Sequence, residues 1–556
     1  MLKFFSQNTR KRNILLCVIC GILLGLSYPP FESWFLIYFG LLIFLYLILT
    51  SSRLRQAFGR GYLALVIFNE ITLYWISGWH SDDTFLKLGG LATVFLHPVF
   101  LMIPALAVYG IKKAFNKYIA IVLFPLIWVG FEYFHNQWQF TFPWLELGNS
   151  ESYNINRIQY AELIGVHGIS FLICIVTVLI YFIIERLYNT KWKLISVKTI
   201  TVSIIIFILL LFPNYYSSTR LNEASNEKYF SNSDPSKIVS SCIVQANTDP
   251  YKKWGGNQDS LILSYFDILN KGLSSNPDLM LLHETAPPYY FFEDYNRDKT
   301  MLFIDFVNRN KKFLLMGIPH LEYYKDSLSA PNDARVNKKS GSKYDAFNSV
   351  VLLEPEKKIS EYTIHKKVKL VPFSERVPYQ EIFPFTEKLV NWGVGISHWQ
   401  RGNDLTLFEL NSSKLKVKFE GIICFESVFS ELVSGGVNNG AEFIAIVTND
   451  GWWGNTSGPY QHEQYAVLRA IENRKWVVRC AQTGVSCFID PLGRIYDEIP
   501  YNTEGYVTKN IIANSEKTTY CINGDVIGKG GFAFFVVSLV ISVLSYVKRK
   551  ILSRKA

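Results

Sequence analysis

Eight long apolar stretches limit what this chain can fold into before any other feature does. About 20 apolar residues match the hydrocarbon thickness of a bilayer, where every backbone polar group must be satisfied within the segment, so each stretch is expected to be a spanning helix. They lie near residues 13–29, 33–50, 59–78, 90–111, 118–135, 161–184, 196–213 and 530–547. The first follows MLKFFSQNTRKRN, a basic start like that of a signal peptide. No small-residue cleavage site follows and a second stretch begins almost at once, so the first is expected to be retained.

The connections carry the orientation. Arg10, Lys11 and Arg12 precede the first stretch, and Arg53, Arg55 and Arg60 follow the second. Lys112, Lys113 and Lys117 follow the fourth, Arg186, Lys191, Lys193 and Lys198 the sixth, and Lys548, Arg549 and Lys550 the last. The other connections, such as HSDD at 80–83, are acidic or nearly neutral. Basic loops stay on the cytoplasmic side, so both termini are expected there and the long segment between the seventh and eighth spans outside. The net charge of +10 is then mostly topology. Spread over short loops, it argues against nucleic acid as a partner. Glu70 and Glu132 fall inside spans, where a carboxylate is costly. Either they line a polar entrance or they bond between helices.

Residues 214–236 are polar and read as a linker; 237–513 read as a soluble domain, and 514–556 as a return linker, last span and basic tail. The soluble part has short β-like runs, among them IVSSCIVQAN, DLMLLHE, KFLLMGIP, NSVVLLEP, KLKVKFEGIICFES, EFIAIVTND and KWVVRCAQTGVSCFIDPLGRI. Between them SYFDILNKGL and YQHEQYAVLRAIENRK have helical spacing, so a layered α/β domain is expected. There is no repeat, P-loop or serine elbow, and the GxG of WGVGISHW lacks the third glycine of a dinucleotide site. Nine histidines without HExxH, and eight cysteines without paired CxxC, argue against a zinc site or a disulfide framework. Cys480 and Cys487 are expected to be core thiols of one hairpin.

Three strand ends carry reactive groups: Glu284 in DLMLLHETAPP, Lys367 and Glu375 in HKKVKLVPFSERVP, and Cys424 and Glu426 in KFEGIICFES. A thiol at its reference pKa of about 8.5 is scarcely ionised at neutral pH and needs a base or a cation to become a nucleophile. A carboxylate can take its proton, and an ammonium can stabilise the oxyanion that follows attack on a carbonyl. Cys424 is either that nucleophile or an inert core thiol. Residues alone leave both open.

At these positions the sequence resembles the nitrilase superfamily, and together with its membrane half it is similar to apolipoprotein N-acyltransferases. The resemblance includes VQAN at 244–247 with Trp254, HETAPP around Glu284, FNS at 347–349, KVKLVPFSERVP from Lys367, and CFE at 424–426. It continues through NDGWWG at 449–454, GPYQH at 458–462 and TGVS at 483–486, with FPWLELG at 142–148 and IGVHGISFL at 164–172 in the membrane half. It implies a polytopic α-helical membrane domain of about eight spans with an extracytoplasmic (periplasmic) nitrilase-like α/β/β/α sandwich, in the inner membrane.

It implies also that Glu284 is the general base, Lys367 the oxyanion-stabilising lysine and Cys424 the nucleophile, with Glu375, Glu426 and the backbone N–H of Phe425 in support. Glu426 is expected to reach the Lys367 ammonium from the same side of an extended strand. Trp254, Tyr289, Tyr290, Trp452 and His462 are lesser, substrate-binding candidates; the YYFF run at 289–292 is either core or a mobile rim at the bilayer, and His462 either a supporting contact or a participant. The implied reaction is ping-pong acyl transfer from a phospholipid to the α-amine of a diacylglyceryl-cysteine on an apolipoprotein, with no cofactor or metal and no need of more than a monomer. Ser374, His365 and Phe425 depart from the family's common glycine and tyrosines. A membrane-tethered amidohydrolase and a non-catalytic lipoprotein-binding protein are the alternatives.

Overall fold

The computed structural model describes residues 9–77, 84–190, 197–223, 229–230, 234–326, 328–383, 385 and 398–555. The HSDD loop and most of WGVGISHW lie outside them. The chain divides into two compact units: residues 1–138, 143–221 and 525–556 form one, and residues 139–142 and 222–524 the other.

The first unit is helical: α1 (Arg10–Gly25), α2 (Leu36–Leu49), α3 (Leu54–Leu73), α4 (Thr84–Ala114), α5 (Lys117–His135), α6 (Ala161–Asn189), α7 (Val197–Glu223) and, after the second unit, α14 (Val526–Lys555). Among the described residues, five helices are long and apolar enough to cross a membrane: α4, α5, α6, α7 and α14. Helices also stand at the three other predicted spans, but α1 has 16 residues, α2 has 14, and α3 carries Arg55, Arg60 and Glu70. Starts are capped where the sequence offers an oxygen: Asn116 accepts from the N–H groups of Tyr118 and Ile119 at the head of α5. A Cβ on Gly130 of α5 would meet the Gly531 carbonyl of α14 at 2.1 Å, so only glycine allows these backbones to touch.

Glu132 is buried; its Oε1 accepts from Trp128 Nε1 at 3.0 Å and from the Leu147 N–H at 2.8 Å, which makes it a bond between the helix and the loop that follows. Glu70 is exposed on α3. The predicted linker start is corrected: α7 runs through Pro213 to Glu223. Its polar last turns are held because Tyr216 and Arg220 both bond Glu162 of α6 and Ser217 Oγ accepts the Gln159 N–H.

The second unit is a sandwich of two sheets. One holds seven strands in the order β13-β1-β2-β3-β5-β4, with β6 against β5; the other holds six in the order β12-β11-β10-β9-β8-β7. The strands are β1 (Ile238–Gln245), β2 (Leu279–Leu282), β3 (Phe313–Tyr323), β4 (Arg335–Val336), β5 (Lys343–Leu353), β6 (Thr363–Lys366), β7 (Leu407–Asn411), β8 (Lys416–Ile423), β9 (Ile444–Thr448), β10 (Val477–Ala481), β11 (Ser486–Ile489), β12 (Ile495–Ile499) and β13 (Gly505–Ile512). The helices are α8 (Pro250–Lys253), α9 (Gln258–Gly272), α10 (Arg297–Asn310), α11 (Ser430–Asn438), α12 (Ser457–Asn473) and α13 (Thr519–Asn523).

The alternation of side chains along a strand explains the layers. In β1 and β2, Val239, Ile243, Leu279 and Leu281 enter the core between the sheets with Phe419, Ile423, Val447 and Val478. Their neighbours Cys242, Val244, Met280 and Leu282 face the other way and pack with Tyr265 and Leu269 of α9 and Phe303 and Val307 of α10. Strands buried on both faces read as continuous apolar runs, as β2, parallel to β1 and β3, does. All eight cysteines are buried free thiols; Cys480 and Cys487 lie on the antiparallel pair β10 and β11.

Candidate active site

Glu284 sits two residues past the end of β2 and is buried. The chain turns sharply there, with Thr285 at φ +46°, and the turn presses on β3: a Cβ on Gly317 would lie 2.5 Å from the Glu284 Cα. Glycine at 317 makes room for the backbone turn that carries Glu284. Lys367 follows β6 directly, its N–H bonded to the Asn348 carbonyl of β5 at 2.9 Å. The chain then folds back on itself, with Phe373 at φ +65°, and the Glu375 N–H returns to the Val371 carbonyl.

The ammonium of Lys367 lies 3.0 Å from Glu284 Oε1 and 2.9 Å from Glu375 Oε1. Asn348 Nδ2 donates to the same two oxygens, at 2.7 and 3.0 Å. Burial works against the charge on Lys367, but the carboxylates of Glu284 and Glu375 outweigh it and hold the ammonium protonated well above its ordinary range. Lys366 instead pairs with Glu322, and Lys369 lies over the Phe429 ring. Only Lys367 of the three faces Glu284.

Cys424 begins a 3₁₀ turn, Cys424–Val428, at the end of β8, with φ +49°. Its thiol is buried, and burial first, then the Glu284 carboxylate, raise it well above the usual thiol range while Lys367 pulls the other way. The three side chains therefore share one electrostatic environment. A thiol held protonated cannot attack unaided, so a base must take its proton as the bond forms.

The expectation for Glu426 is corrected. Cys424 is left-handed and not extended, so the two-residue alternation fails and Glu426 does not reach the ammonium. Its Oε1 accepts the N–H groups of Val368 at 2.6 Å and Lys369 at 3.4 Å, and its Oε2 accepts the Ile423 N–H at 2.9 Å and faces His365 Nε2 at 3.2 Å. Although burial opposes it, His365 and these N–H groups hold the carboxyl below its usual range. Glu375 takes the ammonium that the sequence assigns to Glu426.

The lesser candidates scatter. Trp254 and Tyr290 pack together against Ala346, Leu370 and Trp399, beside the lysine segment. Tyr289 and Phe291 are buried in the core under α9 and α10, so YYFF is no exposed rim. The exposed apolar residues near the site are instead Phe373 (41%), Ile382 (61%), Phe383 (49%) and Phe385 (67%), on and after the turn that carries Glu375. Trp452 stacks edge-on with Tyr251. His462 is fully buried beneath Cys424 and has no surface for a substrate.

Sequence reasoning missed Asn348, which joins both carboxylates, and Lys253. The Lys253 ammonium is buried and bonds the Glu284 carbonyl (3.3 Å), Thr285 Oγ1 (3.0 Å) and Gln482 Oε1 (2.8 Å). Burial lowers it to about 7, with Glu284 opposing. Cys424, Asp450 and His462 bring ligand-type atoms within 4.8 Å of one another. However, the Arg479 guanidinium already sits 2.5 Å from Asp450 Oδ2, which disfavours a second cation there.

Two family models match. Residues 20–179 match the apolipoprotein N-acyltransferase N-terminal domain, and residues 244–519 match carbon-nitrogen hydrolase. The apolipoprotein N-acyltransferase of Chlorobaculum tepidum is 31% identical over 92% of this chain and 92% of its own length. That of Geobacter metallireducens is 28% identical over 97% and 96%. Among solved structures, a nitrilase-superfamily protein of Saccharomyces cerevisiae aligns over 51% of this chain and 93% of its own at 17% identity, with a TM-score of 0.36.

Proposed function

The chain belongs to the apolipoprotein N-acyltransferase family, and from that we propose that it N-acylates the N-terminal diacylglyceryl-cysteine of apolipoproteins through a thioester on Cys424. The observation that carries the site assignment is the Lys367 ammonium bonded to Glu284 and Glu375 beside a buried thiol in a left-handed turn.

The chemistry follows from those groups. As Cys424 Sγ attacks a phospholipid ester carbonyl, its proton passes to the Glu284 carboxylate. Lys367 and the Phe425 N–H stabilise the oxyanion, in a buried site where such donors act strongly. The ester C–O bond breaks, Glu284 returns the proton to the leaving lysophospholipid alkoxide, and the acyl group stays on sulfur. The lipoprotein α-amine then attacks the thioester, Glu284 takes the amine proton, the C–S bond breaks and the thiolate recovers that proton. Glu375 and Asn348 orient the lysine and the base. No step in this scheme calls on a metal or an organic cofactor.

The wider arrangement follows the same reading. The protein is an integral membrane protein whose helices cross the inner membrane eight times, with both termini cytoplasmic and the catalytic unit periplasmic. Alternating basic loops support this orientation. Exposed Phe373, Ile382, Phe383 and Phe385 supply an apolar rim suited to lipid-anchored substrates, and one copy of the chain holds every group the scheme needs.

The test is direct. Purified protein given a phospholipid with a labelled acyl chain should carry label on sulfur, and Cys424→Ser should not. A diacylglyceryl lipopeptide with a free N-terminal cysteine should then clear the label into an amide. Label released only as free fatty acid would mean a hydrolase, and no thioester at all would mean a binding protein.

A further inference from the structure

We propose that His462 is a positioning residue for acylation: with Ser427 it holds the Cys424 carbonyl, and thereby aims the Phe425 N–H at the place where the oxyanion forms. The inference rests on the reading of Cys424 as the acyl carrier.

The peptide between Cys424 and Phe425 is planar and trans, so its C=O and its N–H point in opposite directions. Fixing one fixes the other. Two side chains hold the carbonyl: Ser427 Oγ at 2.8 Å and His462 Nε2 at 3.2 Å. His462 Nε2 also lies 2.8 Å from Ser427 Oγ, so hydroxyl, imidazole and carbonyl form one hydrogen-bonded cluster. Phe425 is the second residue of the 3₁₀ turn Cys424–Val428, where the leading N–H groups have no acceptor within the turn itself. Its N–H is therefore available to a ligand and has its direction set from behind.

That direction has to be imposed. Cys424 lies at φ +49°, a left-handed region that a non-glycine residue keeps only when its surroundings hold it there. The surroundings are specific. His462 Nδ1 lies 2.9 Å from Asp450 Oδ1, which also accepts from Thr448 Oγ1 at 2.8 Å, while Arg479 Nη2 bonds Asp450 Oδ2 at 2.5 Å. The Trp453 ring also packs against the imidazole, in a T-shaped arrangement with centroids 5.6 Å apart. His462, Asp450 and Arg479 are all fully buried. Burial opposes charge on Asp450, but Arg479 and His462 keep it ionised. A fixed carboxylate holding an imidazole against a strained carbonyl is a rigid brace. None of these groups takes part in the proton or acyl transfers.

Two reactions of Cys424 separate this role from a merely structural one. Acylation from a phospholipid passes through an oxyanion, whereas alkylation by iodoacetamide is displacement at a saturated carbon and forms none. His462→Ala should slow single-turnover thioester formation by about 10²-fold, the scale of one lost oxyanion donor. The phospholipid KM and the alkylation rate of Cys424, read by mass spectrometry on its own peptide, should be little changed. His462→Gln, whose amide N–H can reach the carbonyl, should recover part of the loss. If His462→Ala does not fold, Ser427→Ala removes the other donor and carries the same expectation. Acylation and alkylation falling together, or acylation unchanged, would overturn the proposal. Cys424→Ala is the separate control: acyl transfer persisting there would sink the reading of the nucleophile, whatever His462 does.

Discussion

Glu375 Oε1 accepts a hydrogen bond from Lys367 Nζ at 2.9 Å, eight positions away across a turn, and both groups are buried. The turn brings a second carboxylate to an ammonium that Glu284 already shares, so one cation stands between two anions. Removing the cation should be worse than removing one anion as well. Lys367→Met leaves two buried carboxylates facing each other and should destabilise the fold by about 3–5 kcal/mol, the usual cost of breaking a buried pair. Lys367→Met with Glu375→Gln should regain part of that. Thermal unfolding of both variants in detergent checks it; a double variant less stable than the single one would mean that Glu375 has another partner that matters more.

Glu284→Gln should change the shape of the pH profile. Burial and the nearby carboxylate hold the Cys424 thiol protonated through the neutral range. With the base removed, thiolate must form by release of the proton to water. Thioester formation in the variant should therefore be very slow at pH 7 and rise with pH throughout, while the wild type levels off. Rapid-quench measurement of the thioester from pH 6 to 10 distinguishes the two. A variant with a plateau at neutral pH would show that another group takes the proton.

How much of this was legible in the sequence depends on what each residue leaves there. β2 and β9 are buried on both faces, so LMLL and IAIVT stand out as unbroken apolar runs. β13 carries exposed or half-exposed residues along most of its length, and GYVTKNII hides among loops. The proposed catalytic groups lie just past strand ends, where apolar runs stop, and that made Glu284, Lys367 and Cys424 visible together as candidates. What could not be read was which carboxylate meets which cation. That is decided by two left-handed residues, Phe373 and Cys424, which carry no glycine to announce them. Lys253 was invisible for a related reason: a lysine on a four-residue helix looks solvated, and only the Glu284 carbonyl and the Thr285 and Gln482 side chains that meet its ammonium show otherwise.

Lys253 should leave a signature in stability. Its folded pKa of about 7 lies below the unfolded lysine value, so between pH 7 and about 10 the unfolded chain binds a proton that the folded one does not. Stability therefore rises with pH across that window and is lowest where the ammonium is charged in both states. Lys253→Met, which removes the titration and keeps the packing, should flatten that rise relative to wild type. Melting temperatures from pH 6.5 to 9.5 measure it. An unchanged slope would mean that the ammonium stays charged and that its three neutral acceptors suffice.

The orientation can be read with fusions. A reporter that is active only outside the cytoplasm should work when joined after residue 230 and be silent when joined after residue 552. The reverse pattern would overturn the loop-charge argument and the compartment that follows from it.

Glu426 acts on the backbone and so should fail differently from Glu284. Its two oxygens tie the Ile423 N–H, at the start of the nucleophile turn, to the Val368 N–H, immediately after the lysine. One carboxylate thus sets the distance between Cys424 and Lys367 without touching either functional atom. Glu426→Gln keeps one oxygen but turns an NH₂ toward backbone N–H groups that can only donate, so a buried donor is left facing a donor. The cost should be about 1–3 kcal/mol of stability. Thioester formation should slow by about 10²-fold, as oxyanion support is lost when the lysine segment shifts. Alkylation of Cys424 should fall too, because the turn itself moves, in contrast to the His462 variants. Glu284→Gln, which removes the base, should remain the more severe at pH 7. Rates of thioester formation and alkylation in both variants decide the matter: a Glu426→Gln enzyme indistinguishable from wild type, or worse than Glu284→Gln, would show that this carboxylate does not brace the two strand ends.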